Sequence, residues 1–253
     1  MKSMNVSHLA LDTYASQEEM ANREMLGALL ESSPIPKEQI LPNLGLFLES
    51  KNLARLLFLD HVYKQIIDVQ GVIMEFGTRW GQNLGVLSAL RGIYEPFNRH
   101  RKIIGFDTFA GFPTVSQQDG GKWQDGQLAV TEGYAKYLEK VLHLHEQVNP
   151  LGHLKKFELC PGDATCEVPS YLTDHPETIV ALAYFDFDLY EPTKKCLEVI
   201  RPRLTKGSVL VFDELNDPDS PGETTALMEV FGLNAVRVQR YRYASRVSFF
   251  VME

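Results

Sequence analysis

From Gly71 onward the sequence alternates short apolar runs with amphipathic stretches, an order that admits little beyond a parallel βα sheet. Strands are predicted at 72–76, 102–106, 156–160, 180–185 and 208–212, with helices beginning near Gly81, Tyr134, Ala164, Glu191 and Glu223. The last segment contains two β-rich runs joined by Tyr243-Ala244-Ser245, too close for a crossover helix and therefore a hairpin. The expected fold is α/β: a doubly wound, Rossmann-like sheet, mostly parallel and ending in an antiparallel hairpin.

Residues 1–70 read differently. Ser16 and Glu19 have the spacing of a capping box, and Met20, Met25, Leu26 and Leu29 follow at helical intervals up to Ser33-Pro34-Ile35-Pro36. A second helix, 53–67, carries a broad apolar face and is expected to pack on the sheet domain at 71–253. The apolar helices of this extension predict a homo-oligomer, with a lid over the site as a second role.

Charge narrows the partners. With 25 Lys plus Arg against 33 Asp plus Glu, the net of -8 is the wrong sign for gripping nucleic acid or an anionic bilayer. No apolar run approaches the roughly 20 residues of a membrane span, and three cysteines without CxxC spacing suit a reducing, cytoplasmic setting. A small molecule is the expected partner.

Ligands of a doubly wound sheet bind beyond the carboxyl ends of its strands. The first strand ends in Glu75-Phe76-Gly77-Thr78-Arg79-Trp80-Gly81, where glycines and a helix start suit a cofactor, although the GxGxxG fingerprint is absent. The second ends at Asp107-Thr108, 30 residues after Gly77, where an acid can accept both hydrogen bonds of a ribose diol or simply cap the next turn. The third leads into Gly162-Asp163-Ala164, in which Asp163 either caps a helix or reaches an adenine amino group. The fourth and fifth end in Asp186-Phe187-Asp188 and Asp213-Glu214, which gather like charges that a hard cation such as Mg²⁺ would relieve, unless they are solvated helix caps. Residues 111–131, polar and glycine-rich with Trp123, read as a mobile lid or a disordered surface loop.

Taken in order, MEFGTRWG, GFDTFAGFP, PGDAT, YFDFDLYEPT and GSVLVFDELN resemble the motifs of the macrocin O-methyltransferase family, over roughly residues 71–231. Its members are class I enzymes that use S-adenosylmethionine to methylate sugar hydroxyls in natural-product biosynthesis. The resemblance implies a seven-stranded sheet with a reversed last strand. It implies cofactor contacts from Glu75, Gly77, Thr78, Gly81, Asn83, Asp107, Thr108, Gly162, Asp163, Ala164 and Asp186, and a divalent-metal site at Asp186, Asp213 and Glu214. The acceptor is then a glycoside or sugar, and a carboxylate, Asp186 or Asp188, takes its proton. The lysine that catechol-type relatives place three residues after the first metal aspartate is Leu189 here. The rival expectation is a metal-dependent nucleotide-sugar glycosyltransferase, because those enzymes also use Asp-x-Asp.

Overall fold

The computed structural model describes residues 14–253. The Ser16 hydroxyl accepts from the Glu19 amide (3.1 Å) and starts α1, Gln17–Glu31, which stops before Pro34. A short α2, Lys37–Ile40, and a 3₁₀ segment through Phe47 follow the break at residues 33–36. None of these elements buries a residue, and Met20, Met25 and Leu29 of α1 are exposed. α3, Ser50–Gln65, differs: it sinks Phe58, Leu59, Val62 and Tyr63 into the core beside the sheet.

The predicted alternation then unfolds almost as read. β1, Val72–Phe76, leads to α4, Gln82–Tyr94; β2, Ile103–Asp107, leads through a long loop to α5, Tyr134–Gln147. β3, Phe157–Pro161, precedes α6, Ala164–Asp174; β4, Val180–Phe185, precedes α7, Tyr190–Ile200; β5, Leu204–Phe212, precedes α8, Gly222–Val230. β6, Gln239–Arg240, and β7, Ser248–Val251, form the C-terminal hairpin. Strand order is β3-β2-β1-β4-β5-β7-β6, with β7 antiparallel to β5. This is the seven-stranded, largely parallel sheet with a reversed final strand that the motifs implied. The predicted hairpin turn was too tight: seven residues, 241–247, separate the strands, and β6 is only two residues long.

Side chains alternate across the sheet, so two cores form. Helices α3, α4 and α5 cover one face with Ile73, Leu182, Tyr184 and Val211; α6, α7 and α8 cover the other with Met74, Ala183 and Leu210. On that second face Phe106, Phe76, Phe185 and Phe212 stack in a row across four strands, with centroids 5.5, 4.6 and 5.1 Å apart, and Phe250 of β7 extends it at 6.2 Å. A buried arginine ties α3 to the sheet. Arg101 donates to Glu95 (2.8 Å) and to the carbonyls of Ile66, Val69 and Gly71, closing the joint between α3 and β1. Among the described residues no helix is long and apolar enough to cross a membrane.

Candidate active site

Each of the four stacked phenylalanines is the last strand residue before, or directly before, a candidate site residue: Gly77, Asp107, Asp186 and Asp213. The aromatic row therefore sets these strand ends at one level, at the floor of a cavity of about 950 Å³. That volume is at the upper end of small-molecule sites. Segments from elsewhere wall it in: Leu53, Arg55 and Leu57 of α3, Lys122 and Trp123 of the 111–131 loop, and Arg246 of the β6–β7 connection.

The turn after β1 is held by its neighbours. Gly77 has φ +91, and a Cβ there would lie 2.0 Å from the backbone oxygen of Asp186, so the glycine is required by strand-to-strand approach. Glu75 lies on the α3 face of β1, opposite Tyr184, with 1% exposure. Burial, and then the nearby Asp186 charge, push its carboxyl up to about 8. Thr78 and Asn83 are buried at the cavity wall. Gly81 is the exception among the predicted cofactor residues: it starts α4 at φ +75 and packs against Leu138, outside the cavity lining.

Asp107 joins two loops. Its Oδ2 accepts from the Arg79 amide (2.7 Å) and its Oδ1 from the Phe109 amide (2.6 Å), so the capping role is real. A carboxylate accepts about four hydrogen bonds, which leaves capacity for a diol. Thr108 donates to Gly111 O (2.7 Å) and shapes the same loop. Asp163 caps α6 through Thr165 N (2.9 Å) while Gly162, Asp163 and Ala164 all line the cavity.

The acidic end is denser than the motifs suggested. Asp186 and Asp188 both have carboxyl pKa values raised by burial and then by the charge of Asp213. Asp188 adopts φ +60, and Arg79, Phe109 and Asn216 also have positive φ, so left-handed non-glycine residues recur in four strand-end connections. Such conformations cost roughly 1–3 kcal/mol each and persist where the surroundings enforce them. Glu223, fully buried at the start of α8, accepts from the amides of Phe187 (3.3 Å) and Glu214 (3.2 Å), bracing the ends of β4 and β5 together. Its carboxyl is pushed well up by burial and then by Asp188. Sequence reasoning missed Glu223, whose sole signal is an acid in the first turn of a helix.

It also missed the cations. Arg55 Nη2 donates to Asp186 Oδ2 (2.8 Å), its Nη1 lies 3.7 Å from Asp213 Oδ1, and its Nε donates to Asn83 Oδ1 (3.0 Å). Tyr184 Oη donates to Asp213 Oδ1 (3.0 Å). Arg246 pairs with Glu214 and lies 3.4 Å from Asp217. Oxygen donors suit a hard ion. Yet Asp186, Asp213 and Glu214, expected to share a metal, are divided between two guanidiniums, and among the described residues no three Asp, Glu, His or Cys side chains are grouped to hold one. The set does not fit a divalent ion as arranged.

The 111–131 loop is anchored where mobility or disorder was expected. Asp119, 1% exposed, accepts from the Tyr190 amide at the start of α7 and from Ser116 N (2.6 Å), and Trp123 Nε1 donates to Ser220 Oγ (3.1 Å).

Neither known family profiles nor curated proteins gave a match to this chain. Solved structures did. The chain is similar to CalS11, a calicheamicin methyltransferase, at 44% identity and TM-score 0.91, covering 99% of this chain and 98% of that one. The apo structure of CalS11, a TDP-rhamnose 3'-O-methyltransferase, matches at 42% identity and TM-score 0.84 over 98% of this chain and 99% of the other. The O-methyltransferase NovP shares the fold at 17% identity and TM-score 0.59, over 79% of each chain. These likenesses do not favour the glycosyltransferase reading. The chain belongs to the family of S-adenosylmethionine-dependent O-methyltransferases that includes CalS11.

Proposed function

We propose that the chain transfers the methyl group of S-adenosylmethionine to a hydroxyl of a sugar, in the making of a glycosylated natural product. One observation carries this reading. The strand-end residues that bear the family motifs line a single cavity whose opposite wall, from α3, the 111–131 loop and the β6–β7 connection, is rich in cations and aromatics. The acceptor that suits such a wall is a nucleotide-activated sugar, since Lys51, Lys122 and Arg246 line it and bring positive charge that a diphosphate complements. The TDP-sugar chemistry of CalS11 supports the same choice.

In this reading Glu75, Gly77, Thr78 and Asn83 form the cofactor turn, Asp107 and Thr108 take the ribose, and Gly162, Asp163 and Ala164 meet the adenine. The acceptor oxygen attacks the methyl carbon in line with the sulfonium; the O–CH₃ bond forms, the S–CH₃ bond breaks, and S-adenosylhomocysteine leaves. The hydroxyl proton passes to a carboxylate. Asp188 is the better base of the two: burial and Asp213 raise the basicity of both carboxyls, but Asp186 is held by the Arg55 guanidinium. Self-association belongs to the same reading, supported by the exposed Met20, Met25 and Leu29 of α1, and sedimentation of the full chain reads it out.

The test is a mass-resolved methylation assay with S-adenosylmethionine and TDP-rhamnose, alongside calorimetric titration with S-adenosylhomocysteine. A gain of one methyl by the sugar nucleotide, with kcat lowered at least about 100-fold in Asp188→Asn and cofactor affinity retained, is expected. Cofactor binding without transfer to any sugar nucleotide would sink the proposed acceptor class, and undiminished kcat in Asp188→Asn would sink the assigned base.

A further inference from the structure

Motifs ending in Asp186-x-Asp188 and Asp213-Glu214 imply a shortage of positive charge between the ends of β4 and β5. The structure meets it from an unexpected quarter. Arg55 comes from α3, 131 residues before Asp186, and its guanidinium sits between the two aspartates, within 2.8 Å of one and 3.7 Å of the other. The Nε bond to Asn83 and the Tyr184 ring, 5.8 Å from the guanidinium carbon, fix the plane of the group. A guanidinium stays charged at every accessible pH, so protonation changes on Arg55 itself do not release it.

A guanidinium lying between the two carboxylates occupies the position from which a hard divalent ion would bridge them, and the two cations cannot share it. Glu214 beside them is 3% exposed at the cavity wall; Arg246 holds its Oε1, while its Oε2 is buried without a hydrogen-bond partner. We infer that Arg55 is the resident counter-cation of Asp186 and Asp213, and that a divalent ion reaches these carboxylates only by displacing its guanidinium. Metal occupancy is thereby tied to α3, because displacement breaks the ionic contact of that helix with the ends of β4 and β5 and leaves the apolar packing of Phe58 on Tyr184. Removing the guanidinium leaves the half-buried Asp186 and the buried Asp213 without their shared counter-charge and turns the pair into an ion site.

The experiment titrates Mn²⁺ into the purified full chain, counting free ion by electron paramagnetic resonance. It compares wild type, Arg55→Gln, Arg55→Lys and the double variant Arg55→Gln/Asp213→Asn, with circular dichroism and thermal melting confirming that each protein is folded. Arg55→Gln is expected to bind Mn²⁺ at least tenfold more tightly than wild type, with the gain abolished in the double variant. Arg55→Lys, which keeps the charge but loses the planar fork, should fall between, and it carries the comparison if Arg55→Gln does not fold. Affinity equal to or weaker than wild type in both single variants would overturn the inference, as would a gain that survives Asp213→Asn. Ion binding is read without turnover, so a failure of the methylation assay and a failure here are distinguishable.

Discussion

A side-chain carbon on Gly77 would overlap the backbone oxygen of Asp186 at 2.0 Å, which places the turn after β1 in direct contact with the start of the acidic loop after β4. Gly77→Ala must push these segments apart and also hold alanine at φ +91. The expected result is a loss of about 2 kcal/mol or more in stability. S-adenosylhomocysteine affinity should drop at least tenfold, measured by calorimetry beside thermal melting. Unchanged affinity would separate the turn from the cofactor site.

Glu75 makes stability depend on pH. Its carboxyl lies near 8 in the folded chain, against about 4.5 unfolded. Between those values the folded chain keeps a proton that the unfolded chain has released, so stability is present below the unfolded value and is lost as pH rises through the folded one. Asp186 faces the group, opposing its ionisation, and Arg55 favours it. Glu75→Gln removes the titration. The melting temperature of the variant relative to wild type should therefore rise steadily between pH 5 and 8, and a difference that stays flat over that range refutes the assignment.

Arg101 is a stability residue remote from the chemistry. Arg101→Met leaves Glu95 without its ion pair and removes the donor from the carbonyls of Ile66, Val69 and Gly71, all close to the α3–β1 joint. The expected cost is about 3–5 kcal/mol in denaturant unfolding. A cost under about 1 kcal/mol would mean that water replaces the guanidinium.

Asp119 tests whether the 111–131 loop serves the acceptor. Asp119→Ala strands the Tyr190 amide at the start of α7 and unties Ser116, at a cost of about 1–3 kcal/mol. KM for the acceptor should increase at least fivefold while affinity for S-adenosylhomocysteine stays put; Asp119→Asn, which keeps an acceptor oxygen, should do less. A parallel loss of cofactor affinity would assign the loop to the other ligand.

The sheet was legible because its signal is local. The runs ending at Phe76, Phe106, Phe185 and Phe212 alternate with amphipathic helices, and strand ends are where ligands bind, so most strand-end candidates could be named from a few residues of context. Gly81 lies outside the cavity lining, which its context could not show, because a glycine after a strand reads alike whether it faces a ligand or, as here, Leu138. Arg55, Glu223 and Arg246 were invisible for a different reason. Arg55 reaches Asp186 across 131 residues and Glu223 reaches Phe187 across 36, and a charge on a helix or loop resembles any solvated one until the fold brings its partner near. The metal expectation rested on counting acids without knowing which distant cations the fold would deliver. The 111–131 loop read as mobile because its anchors, Asp119 and Trp123, pair with partners 71 and 97 residues away.

The phenylalanine row divides the labour of the molecule in a way that bears on how its repertoire can change. Rings spanning β2, β1, β4 and β5 fix the platform on which the strand-end loops stand, while α3, the 111–131 loop and the β6–β7 connection rise from separate supports. Substitutions at cavity-facing positions of those three segments, such as Leu53, Leu57, Trp123 and Tyr243, can redraw the chamber above without disturbing its foundation. A lineage built on this plan is free to exchange acceptors by drift at such positions, and a protein engineer can vary them as one library while leaving the aromatic row untouched.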